Sequence, residues 1–397
     1  MTGLEPATSG VTGRCSNQLS YIPFVGSTSE IYPRIGPCQP PAPGLRRDGA
    51  GGLPSGLRTD RLGVPRVREA GGASGGRDRV RITKAVITAA GRGARQYPAF
   101  DTVHKAMLPL VDRDGLTKPV LQIIVEEALE SGIEEVCVVT APGDEAAYRR
   151  LFATIAGNLR AGYPGEPWAD EQARRITDME GRLRFVAQDD PAGYGHAVWS
   201  AREFVGDEPF LLLLSDHLYI SGEDRRCARQ LLDLATAEGC AASAVQATRE
   251  HLIGQYGTVA AHRSPGRHDV YVIDEVVEKP NPTLAELRLG VPGLRAGHYL
   301  CFFGMHVLTP EVMALLDDLV GRDAREGGSI QLSTALHRLA GRQKYLALET
   351  RGARHNLGVK YGLVEAQVAL AMAGVDRAPL LASLLESVAR VGAASAV

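Results

Sequence analysis

The feature that most constrains the fold is an alternation of short apolar segments with amphipathic ones between residues 82 and 240. Four segments rich in β-branched or apolar residues predict strands: KAVITA, IEEVCVVTA, LRFVAQ and PFLLLLSD. Between them, KPVLQIIVEEALESG predicts a helix that stops at Gly132, and further helices are expected over 144–159 and 195–205. This alternation is typical of a parallel sheet covered by helices on both faces.

The pattern changes after Cys240, where strands dominate. They are predicted in CAASAVQAT, GTVAAH, DVYVIDEVVEK and HYLCFFGMHVL. Helices are expected at 310–319 and 331–341, and again in VKYGLVEAQVALAMAG and APLLASLLESVARVG. We therefore predict an α/β fold with a doubly wound, mostly parallel, Rossmann-like sheet and an added β-rich part.

The first 80 residues differ from the rest in composition. They are rich in Gly, Pro, Ser and Arg and show no period of two or of 3.6 residues. Such a segment cannot bury enough apolar surface to offset the entropy of ordering it. We predict that 1–80 is a disordered or spurious N-terminal extension, that 81–375 is the folded domain, and that 376–397 is a C-terminal helix.

Charge and composition narrow the class of protein. A formal net charge of -2 excludes a globally basic nucleic-acid binder, so no nucleic-acid partner is expected. No run of about 18 apolar residues is present, and no membrane span is predicted. The six cysteines lack paired spacing, which indicates reduced, inert thiols rather than a disulfide framework. A cytoplasmic location is expected.

The stretch AAGRGARQYP, residues 89–98, predicts a phosphate-binding loop of an unusual kind. It is not a dinucleotide fingerprint, because the third glycine of that motif is replaced by Gln96, and it lacks the Gly-Lys-Ser/Thr end of a P-loop. A glycine turn at a strand's carboxyl end remains, with Arg95 beside it and Lys105 further on. Backbone N–H groups and fixed cations suit a polyphosphate. The alternative is a plain turn with surface arginines.

Polar side chains follow several of the predicted strands. Gln188 follows LRFVA, Asp216 follows FLLLLS, and Glu278 with Lys279 ends DVYVIDEVV. Because ligands bind at the carboxyl ends of strands in a doubly wound sheet, these groups are expected to converge on one edge. A carboxylate directly after an apolar strand is costly without a partner, so Asp216 is a candidate ligand for Mg²⁺; a turn or N-cap Asp is the alternative.

Five segments follow the glycine loop in order: VHKAMLPLVDRDGLTKP, AQDDPAGYGHAV, LLLLSDHLY, YGTV and VVEKP. Together with that loop they resemble the bacterial UTP–glucose-1-phosphate uridylyltransferases, within the sugar-nucleotide pyrophosphorylase family. The family's Ala-Gly-x-Gly-Thr-Arg loop corresponds to Ala90–Arg95, with Ala94 in place of Thr, and its Lys-x-Met-Leu-Pro segment to Lys105–Pro109. The resemblance covers roughly residues 82 to 373.

The resemblance implies a nucleotide-diphospho-sugar transferase fold whose β-rich part binds the sugar. It also implies a nucleotidyltransferase that converts UTP and glucose-1-phosphate to UDP-glucose and pyrophosphate with Mg²⁺ as cofactor. The implied charge-neutralising catalytic residues are Arg95, Lys105 and Lys279. The implied nucleotide-binding residues are Ala90, Gly91, Gly93, Gln188 and Gly193, and the sugar-binding ones are Gly257 and Glu278. The implied metal ligands are Asp216 and Asn356, the latter where many relatives offer a second acid.

Several interpretations stay open at this point. His196 is a ligand contact or an ordinary helix residue, and Asn356 is a metal ligand or an Asn suited to the turn before Gly358. The segment GGSIQLSTALHRL matches the family at 330–332, but Ser329 or Ser333 as a helix N-cap is an equal alternative. The function alternatives are another nucleotide or sugar-1-phosphate, or a catalytically silent sugar-nucleotide-binding regulatory protein. Assembly into a homo-oligomer is open as well.

Overall fold

The computed structural model describes residues 81–91 and 103–394. The predicted extension over 1–80 therefore lies outside the described residues, as do Gly93 and Arg95 of the glycine loop.

The described residues form strands and helices in the following order. The strands are β1 (Lys84–Thr88), β2 (Pro109–Val111), β3 (Thr117–Pro119), β4 (Glu135–Thr140), β5 (Leu183–Ala187), β6 (Phe210–Leu214), β7 (His217–Ser221), β8 (Ala241–Arg249), β9 (Gly257–Arg263), β10 (Val270–Glu278), β11 (His298–Leu308), β12 (Tyr345–Glu349) and β13 (Gly352–Asn356). The helices are α1 (Val120–Leu129), α2 (Glu145–Gly162), α3 (Pro167–Gly181), α4 (Tyr194–Ser200), α5 (Arg202–Val205), α6 (Cys227–Glu238), α7 (Pro282–Arg288), α8 (Pro310–Gly321), α9 (Leu332–Ala340), α10 (Gly362–Met372) and α11 (Arg377–Ala394).

One nine-stranded sheet organises the described residues, in the order β5-β4-β1-β6-β11-β8-β12-β10-β9. The first four strands in this order, β5, β4, β1 and β6, are parallel to one another, as expected. In the other half β12 is parallel to β8, but β11 is antiparallel to both β6 and β8, and β10 is antiparallel to both β12 and β9. The prediction of a mostly parallel sheet is therefore wrong for this half, and the β-rich part continues the same sheet. The link between β9 and β10 is only residues 264–269, too short for a parallel crossover.

Helices cover both faces of the sheet. In β1, Ala85 and Ile87 belong to a core with residues of α1 and α6, whereas Val86 belongs to a second core with residues of α4, α8 and α9. Because β6 is buried on both faces as well, it is apolar throughout and shows no alternation with polar residues.

Some elements differ from the sequence-based expectation. The helix predicted over 195–205 is divided at Ala201 into α4 and α5. Helices α3 and α6 and the antiparallel pair β7–β13 were not predicted. The C-terminal helix α11 covers Arg377–Ala394. None of the described helices combines the length and the apolar character that crossing a bilayer requires.

The described cysteines are free thiols: Cys137, Cys227, Cys240 and Cys301. Burial raises the pKa of both Cys137 and Cys227 to about 12, so these two thiols stay protonated and unreactive at neutral pH. This agrees with the expectation of inert reduced cysteines.

Candidate active site

Two pockets meet at the carboxyl end of β6. Pocket A is lined by residues that include Ala90, Gly91, Lys105, Gln188 and Gly193. Pocket B is lined by residues that include Gly257, Glu278, Lys279, Phe302, His306 and Asn356. Both pockets share Tyr194, Leu214 and Asp216. Every predicted site residue within the described ranges therefore lines one of the two pockets, and Asp216 lines both.

Asp216 lies in the turn between β6 and β7, where its carboxylate has two partners. Oδ2 is 3.1 Å from Lys105 Nζ, and Oδ1 accepts a hydrogen bond from His217 Nδ1 at 2.9 Å. Burial alone would raise the pKa of Asp216, but the His217 hydrogen bond and the Lys105 charge outweigh it and hold the pKa well below its usual range. The carboxylate is thus ionised at neutral pH, and these partners explain why an acid is tolerated after an apolar strand.

Asn356 reaches Asp216 through the pairing of β13 with β7, where it lies opposite His217. The chain then turns at Gly358. A Cβ atom on Gly358 would lie 2.9 Å from Asp216 Oδ2, 3.1 Å from Asn356 Oδ1 and 3.3 Å from Lys105 Nζ. Two oxygens and an ammonium group therefore face one small space that only a glycine at this position leaves open.

The oxygens around this space suit a hard cation. Mg²⁺ prefers oxygen ligands, often one or two from the protein, with the remainder from phosphates and water. Within residues 81–91 and 103–394 no cluster of three or more His, Cys, Asp or Glu residues could hold a metal. Asn356 Oδ1 also accepts a hydrogen bond from the Gly358 N–H at 2.8 Å, so it shapes the turn, but a second lone pair remains. The residues fit a hard cation that takes its remaining ligands from outside the protein.

Gln188 is oriented in pocket A by two hydrogen bonds. Its Nε2 contacts the carbonyl oxygen of Gly193 and Nδ1 of His196, each at 3.1 Å. Neither bond uses Oε1, which can therefore accept a hydrogen bond from a ligand. His196 is buried and orients Gln188, which favours the helix-residue interpretation over a direct ligand contact.

Gly193 and Gly195 lie close to the backbone of the segment 329–331. A Cβ on Gly193 would lie 2.7 Å from the carbonyl oxygen of Ile330, and one on Gly195 would lie 2.9 Å from the same atom. Gly193 also has φ 126°, which disfavours other residues. The segment 329–331 thus supports the start of α4.

The helix-cap interpretation of that segment is wrong. Gln331 is the N-cap residue of α9, and no side chain makes a cap hydrogen bond there. Ser329 Oγ instead accepts a hydrogen bond from Gln331 Nε2 at 2.6 Å. The segment contacts the start of α4 through its backbone, where the Gly195 N–H donates a hydrogen bond to the Ile330 carbonyl oxygen at 2.9 Å, and through the buried side chain of Ile330, which shares a core with Ala197 and Val198.

The polar side of pocket B is formed where β9 and β10 pair. Gly257 lies opposite Glu278, and a Cβ on Gly257 would be 2.8 Å from Phe302 Cδ2 and 3.3 Å from Glu278 Oε2. Lys279 Nζ is 3.2 Å from Glu278 Oε1. Lys279 has φ 45°, a conformation that costs energy for a residue with a side chain and that clusters at ligand sites.

Glu278 reaches the site by a route that the strand-end rule does not predict. The rule holds for β1, β5 and β6, but β10 runs antiparallel to them. Strand β11 continues past the end of β6, and its Leu300 and Cys301 pair with Val259 and Thr258 of β9. This pairing brings the β9–β10 pair over the carboxyl end of β6.

Several site residues were not predicted. His217 is adjacent to Asp216 in the sequence, and this adjacency is a signal that could have identified it. Tyr194, Phe302 and His306 carry no sequence signal for the site, because their position depends on how α4 and β11 pack.

The profile of the family described as "Nucleotidyl transferase" matches residues 84–353. The chain belongs to this family. It is 32% identical over 312 residues to the UTP–glucose-1-phosphate uridylyltransferase YngB of Bacillus subtilis, covering 78% of this chain and 96% of that protein. It is also 32% identical over 294 residues to a UTP–glucose-1-phosphate uridylyltransferase of Streptococcus pneumoniae, covering 74% and 91%.

Solved structures agree. A UDP-glucose pyrophosphorylase complexed with UDP-glucose matches with TM-score 0.58 and 27% identity, covering 72% of this chain and 98% of that one. A UTP-bound enzyme from Acinetobacter baumannii matches with TM-score 0.59 and 26% identity, covering 77% and 98%. The predicted resemblance is confirmed, and the chain is a nucleotidyltransferase.

Proposed function

We propose that the protein transfers a uridylyl group from UTP to glucose-1-phosphate and releases pyrophosphate. The observation that carries this proposal is that two chemically different pockets share the carboxylate of Asp216. The names of the similar proteins point to the same substrates.

Pocket A binds the nucleotide in this account. Gln188 Oε1 accepts a hydrogen bond from the uracil N3–H, because the Gln188 amide nitrogen is already held by Gly193 and His196. Ala90, Gly91 and Gly193 offer backbone groups beside the base and ribose. Lys105 lines this pocket and binds the triphosphate. We keep Gly93 and Arg95 of the glycine loop as further ligands of the triphosphate.

Pocket B binds the sugar phosphate. Glu278 accepts hydrogen bonds from sugar hydroxyls, while Lys279 binds the phosphate as a point charge. The missing side chain of Gly257 leaves room beside Glu278 and Phe302 for the sugar ring.

The chemistry asks for positioning and charge neutralisation. An oxygen of the sugar phosphate attacks the α-phosphorus of UTP, an O–P bond forms, and the bond to the β-phosphate breaks with pyrophosphate as leaving group. The attacking oxygen is already anionic at neutral pH, so no general base is needed. Lys279 orients this oxygen, and Lys105 stabilises charge on the leaving group.

We also propose Mg²⁺ as the cofactor, held by Asp216 and Asn356. When bound, the ion supplies positive charge that offsets the charge of the triphosphate. The chain's own contribution is to keep Asp216 ionised through His217 and Lys105 and to leave space at Gly358.

The test is pyrophosphate release with a panel of nucleoside triphosphates and sugar-1-phosphates in the presence of Mg²⁺. We expect UTP with glucose-1-phosphate to be the best pair. Release with another pair at a higher rate would support a different nucleotide or sugar. Binding of UDP-glucose without any release would support a silent regulatory protein. We propose that 1–80 is dispensable, so a chain starting at Val80 should give the same rate.

Location and assembly remain proposals. A cytoplasmic location fits the free thiols of the described cysteines.

A homo-oligomer would cover the exposed apolar side chains of α11, which include Leu381, Leu385 and Val388. Light scattering coupled to gel filtration measures the molar mass, and a mass equal to one chain would reject the oligomer.

A further inference from the structure

A bulge in β11 places two aromatic side chains in pocket B. The pairing of β11 with β8 is regular up to Phe302, shifts in register, and resumes at His306, which lies opposite Ser243. Gly304, between them, has φ 85°. Bulges of this kind re-aim side chains next to binding sites. Here Phe302 and His306 both line pocket B, with ring centroids 4.9 Å apart.

His306 is the end of a buried chain of hydrogen bonds. Its Nδ1 is 2.6 Å from Ser243 Oγ, and Ser243 Oγ also contacts the hydroxyl of Tyr345. All three residues are buried. In the part of the chain that the structure describes, Ser243 is the hydrogen-bond partner of the Tyr345 hydroxyl.

The protons in this chain can be placed by satisfying every donor. The Tyr345 O–H has only Ser243 Oγ to donate to among the described residues. Ser243 must then donate its own proton to His306 Nδ1, which accepts. If His306 Nδ1 donated instead, either the Ser243 proton or the Tyr345 proton would be buried without an acceptor, which costs about 1–3 kcal/mol. His306 therefore carries its proton on Nε2.

Nε2 is the remaining polar atom of a side chain that lines pocket B. His306 lines pocket B and not pocket A. Among residues 81–91 and 103–394, no protein atom accepts a hydrogen bond from Nε2, yet this atom is not among the fully buried polar atoms that lack a partner. The free donor of an otherwise buried side chain is thus left to the pocket.

We propose that His306 donates its Nε2 proton to a hydroxyl oxygen of the sugar in pocket B and thereby selects which hexose phosphate is accepted. This inference rests on the proposed function of pocket B as the sugar site. Ser243 is a positioning residue, because it fixes the tautomer of His306, and Tyr345 acts through Ser243.

A neutral donor suits a hydroxyl better than a phosphate. Burial lowers the pKa of His306 to about 3, so the ring stays uncharged across the neutral range. The cation for the phosphate in the same pocket is Lys279, and Glu278 supplies an acceptor. Pocket B can therefore donate a hydrogen bond to one sugar hydroxyl through His306 and accept a hydrogen bond from another through Glu278.

The test removes the sugar hydroxyls and the His306 donor in turn. Wild type and His306→Phe are assayed with UTP and glucose-1-phosphate or its 2-, 3-, 4- and 6-deoxy analogues. We expect wild type to disfavour each analogue that lacks a hydroxyl bound by Glu278 or His306 by about tenfold in kcat/KM, the effect of one hydrogen bond. His306→Phe should lose the discrimination against one of these analogues while keeping the KM for UTP. Ser243→Ala should lose part of it. His298→Phe, on the same strand but outside both pockets, should behave like wild type.

Two outcomes would overturn the inference. The first is a His306→Phe enzyme that keeps the full wild-type discrimination. The second comes from ¹⁵N NMR of the wild type and does not depend on whether the variant folds. It is a spectrum that shows His306 protonated on Nδ1, or an Nε2 signal that does not change when glucose-1-phosphate is added. A wild type that releases no pyrophosphate from UTP and glucose-1-phosphate would instead reject the proposed function.

Discussion

Pockets A and B share Asp216 but are built in different ways. Pocket A lies where parallel strands β1, β5 and β6 end, and its key side chain, Gln188, is held by neutral hydrogen bonds. Pocket B lies where the antiparallel strands β9 and β10 pair and where β11 has a bulge. Its polar groups include the ion pair of Glu278 with Lys279. The comparison supports our proposal that pocket A selects an uncharged base by shape and hydrogen bonds next to its Lys105–Asp216 ion pair, while pocket B places its charges around a sugar phosphate. Each prediction below tests that division.

The largest effect on activity is expected from changing Asp216, which lines both pockets. Asp216→Asn removes the carboxylate that we propose both substrates approach, and it leaves Lys105 without its ion-pair partner. We expect a loss of at least about a hundredfold in kcat at saturating substrates and Mg²⁺. Asp233→Asn, a surface carboxylate paired with Arg225 and Arg229, is the matched control and should be unchanged. Retention of more than about a tenth of the activity, a loss under roughly 1.4 kcal/mol, would remove Asp216 as the anchor.

The two lysines should separate the pockets. Lys105 lines pocket A only, and Lys279 lines pocket B only. Lys105→Ala should raise the KM for UTP, and Lys279→Ala should raise the KM for glucose-1-phosphate. Each loses a charge-assisted contact, so the effect is roughly ten- to a hundredfold. Steady-state kinetics with each substrate varied in turn checks this. If both variants affect the same substrate equally, the division between the pockets is wrong.

A smaller effect is expected from a single added methyl group. Gly257→Ala places a Cβ against Phe302 and Glu278 and should raise the KM for glucose-1-phosphate by about tenfold, with the KM for UTP unchanged. Gly254→Ala adds the same methyl group where no atom lies within 4 Å, and its kinetics should match wild type. Equal behaviour of the two variants would show that the space beside Gly257 is not used by the sugar.

The smallest effect concerns the metal. Asn356→Asp adds a charge beside Asp216 and keeps an oxygen for the Gly358 N–H. We expect the Mg²⁺ concentration for half-maximal rate to fall by about three- to tenfold, because two carboxylates then face the same space. Without metal the melting temperature should fall through repulsion between the two acids, and Mg²⁺ should restore it. A Mg²⁺ titration in which the requirement is unchanged would support a turn-forming role for Asn356 alone.

How well the sequence predicts a site residue depends on how far along the chain that residue lies from the elements that position it. Gln188 and Asp216 lie at the expected strand ends, because Gln188 directly follows β5 and Asp216 comes two residues after β6, and local pattern is enough to find such parallel strands. Glu278 was found as part of a short motif, but its route to the site depends on β11 pairing with both β6 and β9. His306 gave no signal, since a register shift in β11 is decided by tertiary packing.

The division between the pockets is tested most directly by crossed kinetics on Gln188→Ala and Glu278→Ala, with UTP and glucose-1-phosphate varied in turn. The account predicts that Gln188→Ala raises the KM for UTP by about tenfold and leaves the KM for glucose-1-phosphate unchanged, while Glu278→Ala does the reverse. Both variants raising both KM values to the same extent would contradict it, because the two pockets would then not bind two different substrates.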